Sequence, residues 1–400
     1  MDAFLDELLA AHPAIMLVGP RGCGKTTTAL RHAKTLWRLD DPRQAALFAS
    51  SPDRAIDEVH AFPLMLDEWQ AVPDVLGAVK RHVDTRRGAG RFLLTGSVRA
   101  PFAGGAWPGT GRVIEIPMTP LSVAERVGRT SRRPFIPALA TAELPQVADA
   151  EDIVGYIDLA LAGGFPEAVV LDPDARYRWL GSYVDLLVGR ELQEVGYELD
   201  PRKLRAYLTS YAANSAGVCD HASIYRPADI NLRTAQRYES LLQSLYIVTT
   251  VPSWGPNPLQ RLVHQPKRFI ADTGLWARLL DVRRDEVLRN GDLIGRLLET
   301  FVVSQLRAEF PIDERTKLSH LRTKGGRQEV DLIGQVGAGR IVGIEVKATS
   351  APKRDDARHL IWLRDELGTD FVRGAVLHTG PYTFELDDRI LAVPICAIWA

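Results

Sequence analysis

The sequence predicts an α/β fold, and three observations carry the prediction. Short apolar runs alternate with helix-forming stretches through about residue 120, the pattern of a parallel sheet crossed by helices. The first run, Ala14-Ile15-Met16-Leu17-Val18, leads straight into Gly19-Pro20-Arg21-Gly22-Cys23-Gly24-Lys25-Thr26, with the helix-forming run Thr27 to Leu39 behind it. A second run, Leu64-Met65-Leu66, ends in the two carboxylates Asp67 and Glu68.

In chain order, the apolar runs predict strands at Ile15–Gly19, Pro63–Leu66, Arg91–Thr95 and Val113–Ile116. Arg129 to Pro145, rich in Arg, Pro and small residues, reads as a linker. From Asp152 to about Leu245 the period is helical, and Tyr246–Val251 follows as a strand. Pro252 to Pro258 holds three prolines and a glycine and marks a boundary. Beyond it, strands are expected at Arg268–Ala271, Glu329–Gly334 and Ile341–Lys347, with a strong helix over Gly291–Phe310. The expected domains are 1–128, 150–255 and 266–400. The length of 400 residues suits two or three.

Composition narrows the class. Apolar residues make up 46% and charged residues 25%, with a formal net charge of -1, which describes a soluble globular chain with no overall basic footprint for a polyanion. The cysteines Cys23, Cys219 and Cys396 are too far apart to suggest a disulfide framework or a metal site. No apolar run approaches the ~20 residues of a membrane span, so a cytoplasmic location without membrane contact is expected.

The Gly19–Thr26 segment fits G-x-x-x-x-G-K-[ST] at every fixed position, between a strand and a helix as the pattern requires. Backbone N–H groups of Gly19, Pro20, Arg21, Gly22, Cys23, Gly24, Lys25, Thr26 and Thr27, Pro20 excepted for its missing N–H, would surround phosphate oxygens at a helix N-terminus. Lys25 would reach the terminal phosphates, and the Thr26 hydroxyl would ligate Mg²⁺. At the end of the next run, Asp67 would hold Mg²⁺, and Glu68 would orient and deprotonate an attacking water. Arg91-Phe92-Leu93-Leu94-Thr95-Gly96-Ser97 supplies hydroxyls for sensing the γ-phosphate. Arg99 or Arg112 would bring positive charge to the transition state. ATP and Mg²⁺ are the ligands these motifs imply.

In the middle region, Asn231 to Leu245 predicts a helix capped by Asn231. Ala235, Tyr238, Leu242 and Leu245 would form its buried face, with Arg233, Gln236 and Arg237 opposite. Followed by a strand, this fits a winged-helix region, whose polar face meets either a DNA groove or the ATPase and its partners. In the last region, Glu345 and Lys347 lie two apart on one strand and so share a face. Asp331 joins them if the neighbouring strands pair, and Glu299 adds a carboxylate from the upstream helix. Such carboxylates can hold a divalent cation while the lysine positions a water. They can equally form a salt-bridged network. Arg322, Lys324, Arg327, Lys353, Arg354 and Arg358 would suit a phosphate backbone or form a solvated face.

The phosphate loop, Leu66-Asp67-Glu68 and Leu94-Thr95-Gly96-Ser97 resemble the AAA-type ATPases, more narrowly their signal-transduction branch. The resemblance implies an arginine after the sensor strand, here Arg99. It also implies a Gly-x-Pro lid element, here Gly164 and Pro166, whose proline lies beside the adenine. The order Glu299, Asp331, Glu345-x-Lys347 resembles the PD-(D/E)xK nucleases. That resemblance makes Glu299, Asp331 and Glu345 metal ligands, and makes Asp331, Glu345 and Lys347 catalytic. Phe269-Ile270-Ala271-Asp272-Thr273-Gly274-Leu275 and Leu298-Glu299-Thr300-Phe301-Val302 complete the likeness. Nearly the whole chain is similar to prokaryotic AAA-type ATPases with the C-terminal domain of unknown function numbered 4143. Implied is a P-loop ATPase core, a helical lid with a winged-helix middle region and a C-terminal α/β nuclease-like domain. Two readings follow: ATP hydrolysis coupled to a nuclease-like domain acting on or binding DNA, or an ATP-dependent switch or scaffold whose nuclease-like domain is inactive. DNA, a protein partner and a second copy of the chain are the partners these readings admit.

Overall fold

Strand β1 (Ala14–Val18) is buried at all five positions, and the first unit is built around it. The computed structural model describes residues 1–97, 110–129, 133–147, 149–191, 200–255, 265–312, 315–337 and 339–400. The chain divides into two compact units, Met1–Pro120 with Ser244–Tyr246, and Leu121–Gln243 with Ile247–Ala400.

In the first unit, β1 lies between β4 (Phe92–Gly96) and β5 (Val113–Pro117), with β3 (Leu64–Asp67) and β2 (Thr35–Arg38) beyond β4. All neighbours run parallel. A sheet covered on both faces needs apolar residues at consecutive positions, and Ile15, Leu17, Met65 and Leu93 pack on one side while Met16, Leu64, Leu66 and Leu94 pack on the other. Parallel strands bring the ends of β1, β3 and β4 to one sheet edge. The helical run expected from Thr27 to Leu39 is shorter: a helix spans Lys25–His32, and Thr35–Arg38 is the edge strand β2. β2 is only half buried, so it lacks the apolar run by which β1 and β3 are recognised.

The second unit begins with helices. The expected linker contains a buried helix, Phe135–Thr141. Pro137 falls in its first turn, where the N–H groups have no intrahelical partner to lose. The Phe135 N–H donates to Glu309 Oε2 at 2.9 Å. Further helices span Ile153–Ala162, Pro173–Leu186, Pro201–Ala213 and Leu232–Ser244. Asn231 Oδ1 caps the last of these, accepting from Thr234 N–H at 2.9 Å. Ala235, Tyr238, Leu242 and Leu245 are buried, while Arg233, Gln236 and Arg237 are exposed. The antiparallel pair β6 (Val248–Val251) and β7 (Lys267–Ile270) follows.

A six-stranded sheet closes the chain, in the order β12-β13-β11-β10-β9-β8. Its strands are β8 (Thr316–Arg322), β9 (Glu329–Val336), β10 (Arg340–Val346), β11 (Phe371–His378), β12 (Phe384–Asp387) and β13 (Ile390–Pro394). β9 runs antiparallel to both β8 and β10. β10 and β11 are parallel, joined by the helix Arg358–Leu367. This helix packs so closely that a Cβ on Gly343 would stand 2.6 Å from Leu360 Cδ2. The helix Gly291–Arg307 is buried on all sides from Leu297 on, which takes Glu299 into the interior beside Leu297, Leu298, Phe301, Val302 and Leu306.

Candidate functional sites

The turn after β1 leaves room only for glycine. A Cβ on Gly19 would lie 2.2 Å from the Met118 carbonyl oxygen, and Gly22 and Gly24 have left-handed φ of 77° and 103°, which costs glycine little. The loop therefore folds tightly onto the N-terminus of the helix Lys25–His32, where N–H groups and the helix dipole favour an anion. Lys25 is buried, and its ammonium donates to the carbonyls of Gly19 at 3.0 Å and Pro20 at 2.9 Å. Neither acceptor is a carboxylate, so its charge has no acidic partner there.

Across the sheet edge, Thr26 Oγ1 donates to Asp67 Oδ1 at 2.9 Å. The Thr95 hydroxyl donates to the same oxygen. A hydroxyl, a buried carboxylate and a second hydroxyl form the hard-oxygen donor set that suits Mg²⁺, and the tight glycine loop with its uncompensated lysine suits phosphate. The residues present thus fit Mg²⁺ and a nucleoside triphosphate. Glu68 sits in the left-handed region at φ 52°, ψ 48°, sparsely populated for a residue with a Cβ and characteristic of functional turns. Gln70 Nε2 donates to Glu68 Oε2, and the Ser97 hydroxyl approaches that oxygen at 3.5 Å. Gly96 makes this contact possible: a Cβ there would meet Trp69 Nε1 at 2.7 Å and Gln70 Oε1 at 2.8 Å.

Of the two arginines expected near the γ-phosphate, Arg99 lies outside the described residues. Arg112 pairs with Asp84 at 2.9 Å, as a surface salt bridge. Gly164 and Pro166 belong to the second unit. There the Gly164 N–H donates to buried Asp272 Oδ2 at 2.7 Å, and Pro166 starts the short helix Pro166–Val169. Gly163, at φ +64°, has no space for a Cβ, which would lie 2.6 Å from Asp272 Oδ1.

The C-terminal acids come together, but around an ammonium. Lys267, the first residue of β7 and almost fully buried, places Nζ 2.7 Å from Glu299 Oε1, 3.1 Å from Asp331 Oδ1 and 3.9 Å from Glu329 Oε1. The other Asp331 oxygen accepts the Val346 N–H at 3.0 Å. Glu345 Oε2 accepts from Lys347 Nζ at 2.8 Å, and Glu345 Oε1 is buried without a partner. The carboxylates read from the sequence as metal ligands are thus engaged by lysines and a backbone N–H. Among the described residues, no three His, Cys, Asp or Glu side chains are grouped to hold a metal ion. The residues as arranged do not fit a divalent cation.

Burial and charge set the ionisation of this cluster. Burial alone would push the Lys267 ammonium down, but Glu299 and Asp331 outweigh it and hold it well above the ordinary lysine value. Burial pushes the Glu299 carboxyl up to about 8 against the pull of Lys267. Burial, then the charge of Asp331, drives Glu345 well above the carboxylate range. For Asp331, burial is overcome by Lys267 and Lys347, and its value falls. The apolar pattern marks this strand only from Arg268 and passes over Lys267, because Lys-Arg before Phe269-Ile270 looks like a polar strand boundary. Of the six nearby basic residues, three pair with local acids: Arg354 with Asp387 at 2.6 Å, Arg358 with Asp355 at 3.4 Å and Arg322 with Glu329 at 3.6 Å.

Three family models match the chain. A family described as "AAA domain" matches residues 11–127, and domains of unknown function match residues 154–286 (DUF8612) and 294–398 (DUF4143). Two uncharacterized proteins, from Mycobacterium bovis and Mycobacterium tuberculosis, are each 27% identical over 398 residues, covering 98% of this chain and 82% of their own. A Walker-type ATPase of Pyrococcus abyssi aligns at 16% identity over 70% of this chain and 94% of its own, with a TM-score of 0.43. No helix among the described residues is long and apolar enough to cross a membrane. The chain joins an N-terminal AAA domain of the P-loop ATPase type to a C-terminal DUF4143 domain.

Proposed function

We propose that this protein is an Mg²⁺-dependent ATP-hydrolysing switch whose C-terminal nuclease-like domain works without a divalent cation and does not cut nucleic acid. The observation that carries the first part is the convergence of Thr26, Asp67, Thr95 and Glu68 beside the phosphate loop. Thr26 and Asp67 would hold Mg²⁺, whose charge would screen the phosphates. Lys25 leaves the Gly19 and Pro20 carbonyls for the terminal phosphates. Glu68 orients a water toward the γ-phosphorus and takes its proton as the new P–O bond forms and the bond to the β-phosphate oxygen breaks, leaving ADP with the electron pair.

Lys267 carries the second part, because an ammonium between Glu299 and Asp331 already supplies the positive charge a metal would bring. The helix Leu232–Ser244 followed by the β6–β7 pair supports a winged-helix reading, in which exposed Arg233 and Gln236 are the surface through which this region would meet DNA or a protein. The ATP reading is tested by steady-state hydrolysis with Mg²⁺. Glu68→Gln should keep ATP affinity while kcat falls by about a hundred- to ten-thousandfold. A Glu68→Gln protein that turns over at the wild-type rate would remove Glu68 from the mechanism.

A further inference from the structure

Within the second unit, a cavity of about 770 Å³ opens among the helices Ile153–Ala162, Pro173–Leu186 and Thr273–Leu280, in the size range of small-molecule pockets. Five arginines line it. Three of these are matched by carboxylates: Arg284 pairs with Asp158 at 2.5 Å, Arg283 with Asp174 at 2.8 Å and Arg278 with Asp281 at 3.5 Å. Arg126 and Arg176 are not. Both are half-buried, and their acceptors are backbone carbonyls alone. Arg126 donates to Gly163 O at 3.3 Å, and Arg176 donates to Ala168 O at 3.1 Å, Val169 O at 3.4 Å and Leu171 O at 2.8 Å. These bonds fix the guanidinium planes, and carboxylates act on them only from beyond ion-pair distance: Asp272 on Arg126, Asp172 and Asp158 on Arg176.

A third arginine contributes an unspent donor. Arg278 Nε is buried with no acceptor, its closest carboxylate being Asp281, 3.5 Å from Nη1. Its guanidinium and that of Arg283 lie 4.5 and 4.6 Å from the centre of the Tyr177 ring, an arrangement that orders both. Burial, then the neighbouring charge of Arg176, push the Arg126 guanidinium below its ordinary value, against an opposing pull from Asp272.

We propose that this cavity binds a compact phosphate-bearing small molecule, a pyrophosphate or nucleotide-sized ester, through Arg126 and Arg176 with Arg278 completing the donor set. Guanidinium forks match phosphate oxygens in pairs. The proposal is independent of the ATP site, which lies in the other unit.

Calorimetric titration of the full chain with inorganic pyrophosphate tests it, in a Lys25→Ala background that removes the phosphate loop from the reading. The Lys25→Ala protein should still bind pyrophosphate. Adding Arg126→Gln and Arg176→Gln should weaken that binding at least about tenfold, with helical circular dichroism retained. If the added pair unfolds the protein, Arg278→Gln is read instead and should weaken binding in the same direction. A Lys25→Ala protein that binds no pyrophosphate at millimolar concentration, or affinity untouched by the arginine substitutions, overturns the proposal.

Discussion

Lys267 changes the meaning of the residues around it. Acid–x–lysine on a strand, with one acid upstream on a helix, is the arrangement of a cation site. Nothing in those four residues says whether the cation comes from solvent or from the chain, and here the chain provides it. Removing one member of a buried ion pair leaves the other charge uncompensated, which costs about 3–5 kcal/mol. Lys267→Met should therefore destabilise the C-terminal domain by that amount in urea unfolding. Lys347→Met should cost less, since its side chain is one-third exposed and its ion pair is with Glu345. Equal losses would show that burial of Lys267 is not what matters. Glu299 gives the pH dependence. Its carboxyl rises from an ordinary 4.5 to about 8 in the folded protein, so the native state holds a proton that the unfolded chain releases. The stability this contributes is complete below about pH 4.5 and is lost as pH rises through about 8. Glu299→Gln should flatten the unfolding free energy across that window. An unchanged slope would mean that Glu299 is ionised in the native cluster. The groups that face it are Lys267, Asp331 and Glu329.

At the scale of elements, the two ATP-site loops depend on the absence of side chains. Gly96 at the end of β4 lets Trp69 and Gln70 close over it, and Gln70 in turn holds Glu68. Gly96→Ala should push Gln70 aside and lower kcat for ATP hydrolysis, while nucleotide affinity, set by the phosphate loop, changes little. A parallel loss of affinity would place the effect in the loop instead. These elements also show what is readable in a linear sequence. β1, β3 and β4 announce themselves because a strand buried on both faces must be apolar at every position. The edge strand β2 and the helix Phe135–Thr141 do not. β2 is half exposed, and the helix opens with Pro134 and carries Pro137, residues that read as a break until Glu309 Oε2 is seen accepting its first N–H. Asp67 and Glu68 were legible from their spacing after the phosphate loop. Lys267 was not, because its partners lie 32 and 64 residues away, on elements that only tertiary folding brings to it.

Taken whole, the molecule joins an AAA domain, with its glycine loop and hard-oxygen donor set, to a C-terminal DUF4143 domain whose buried acids are met by lysines. The first half should release phosphate from ATP, and the second should not cleave nucleic acid. The most direct test measures both in one tube: wild-type protein with Mg²⁺, ATP and double- and single-stranded DNA, following phosphate release and strand integrity together. The account predicts phosphate release that saturates with ATP, stops in Glu68→Gln, and leaves the DNA intact. Metal-dependent cleavage that disappears in Lys347→Ala, or a wild-type protein that releases no phosphate, would contradict it.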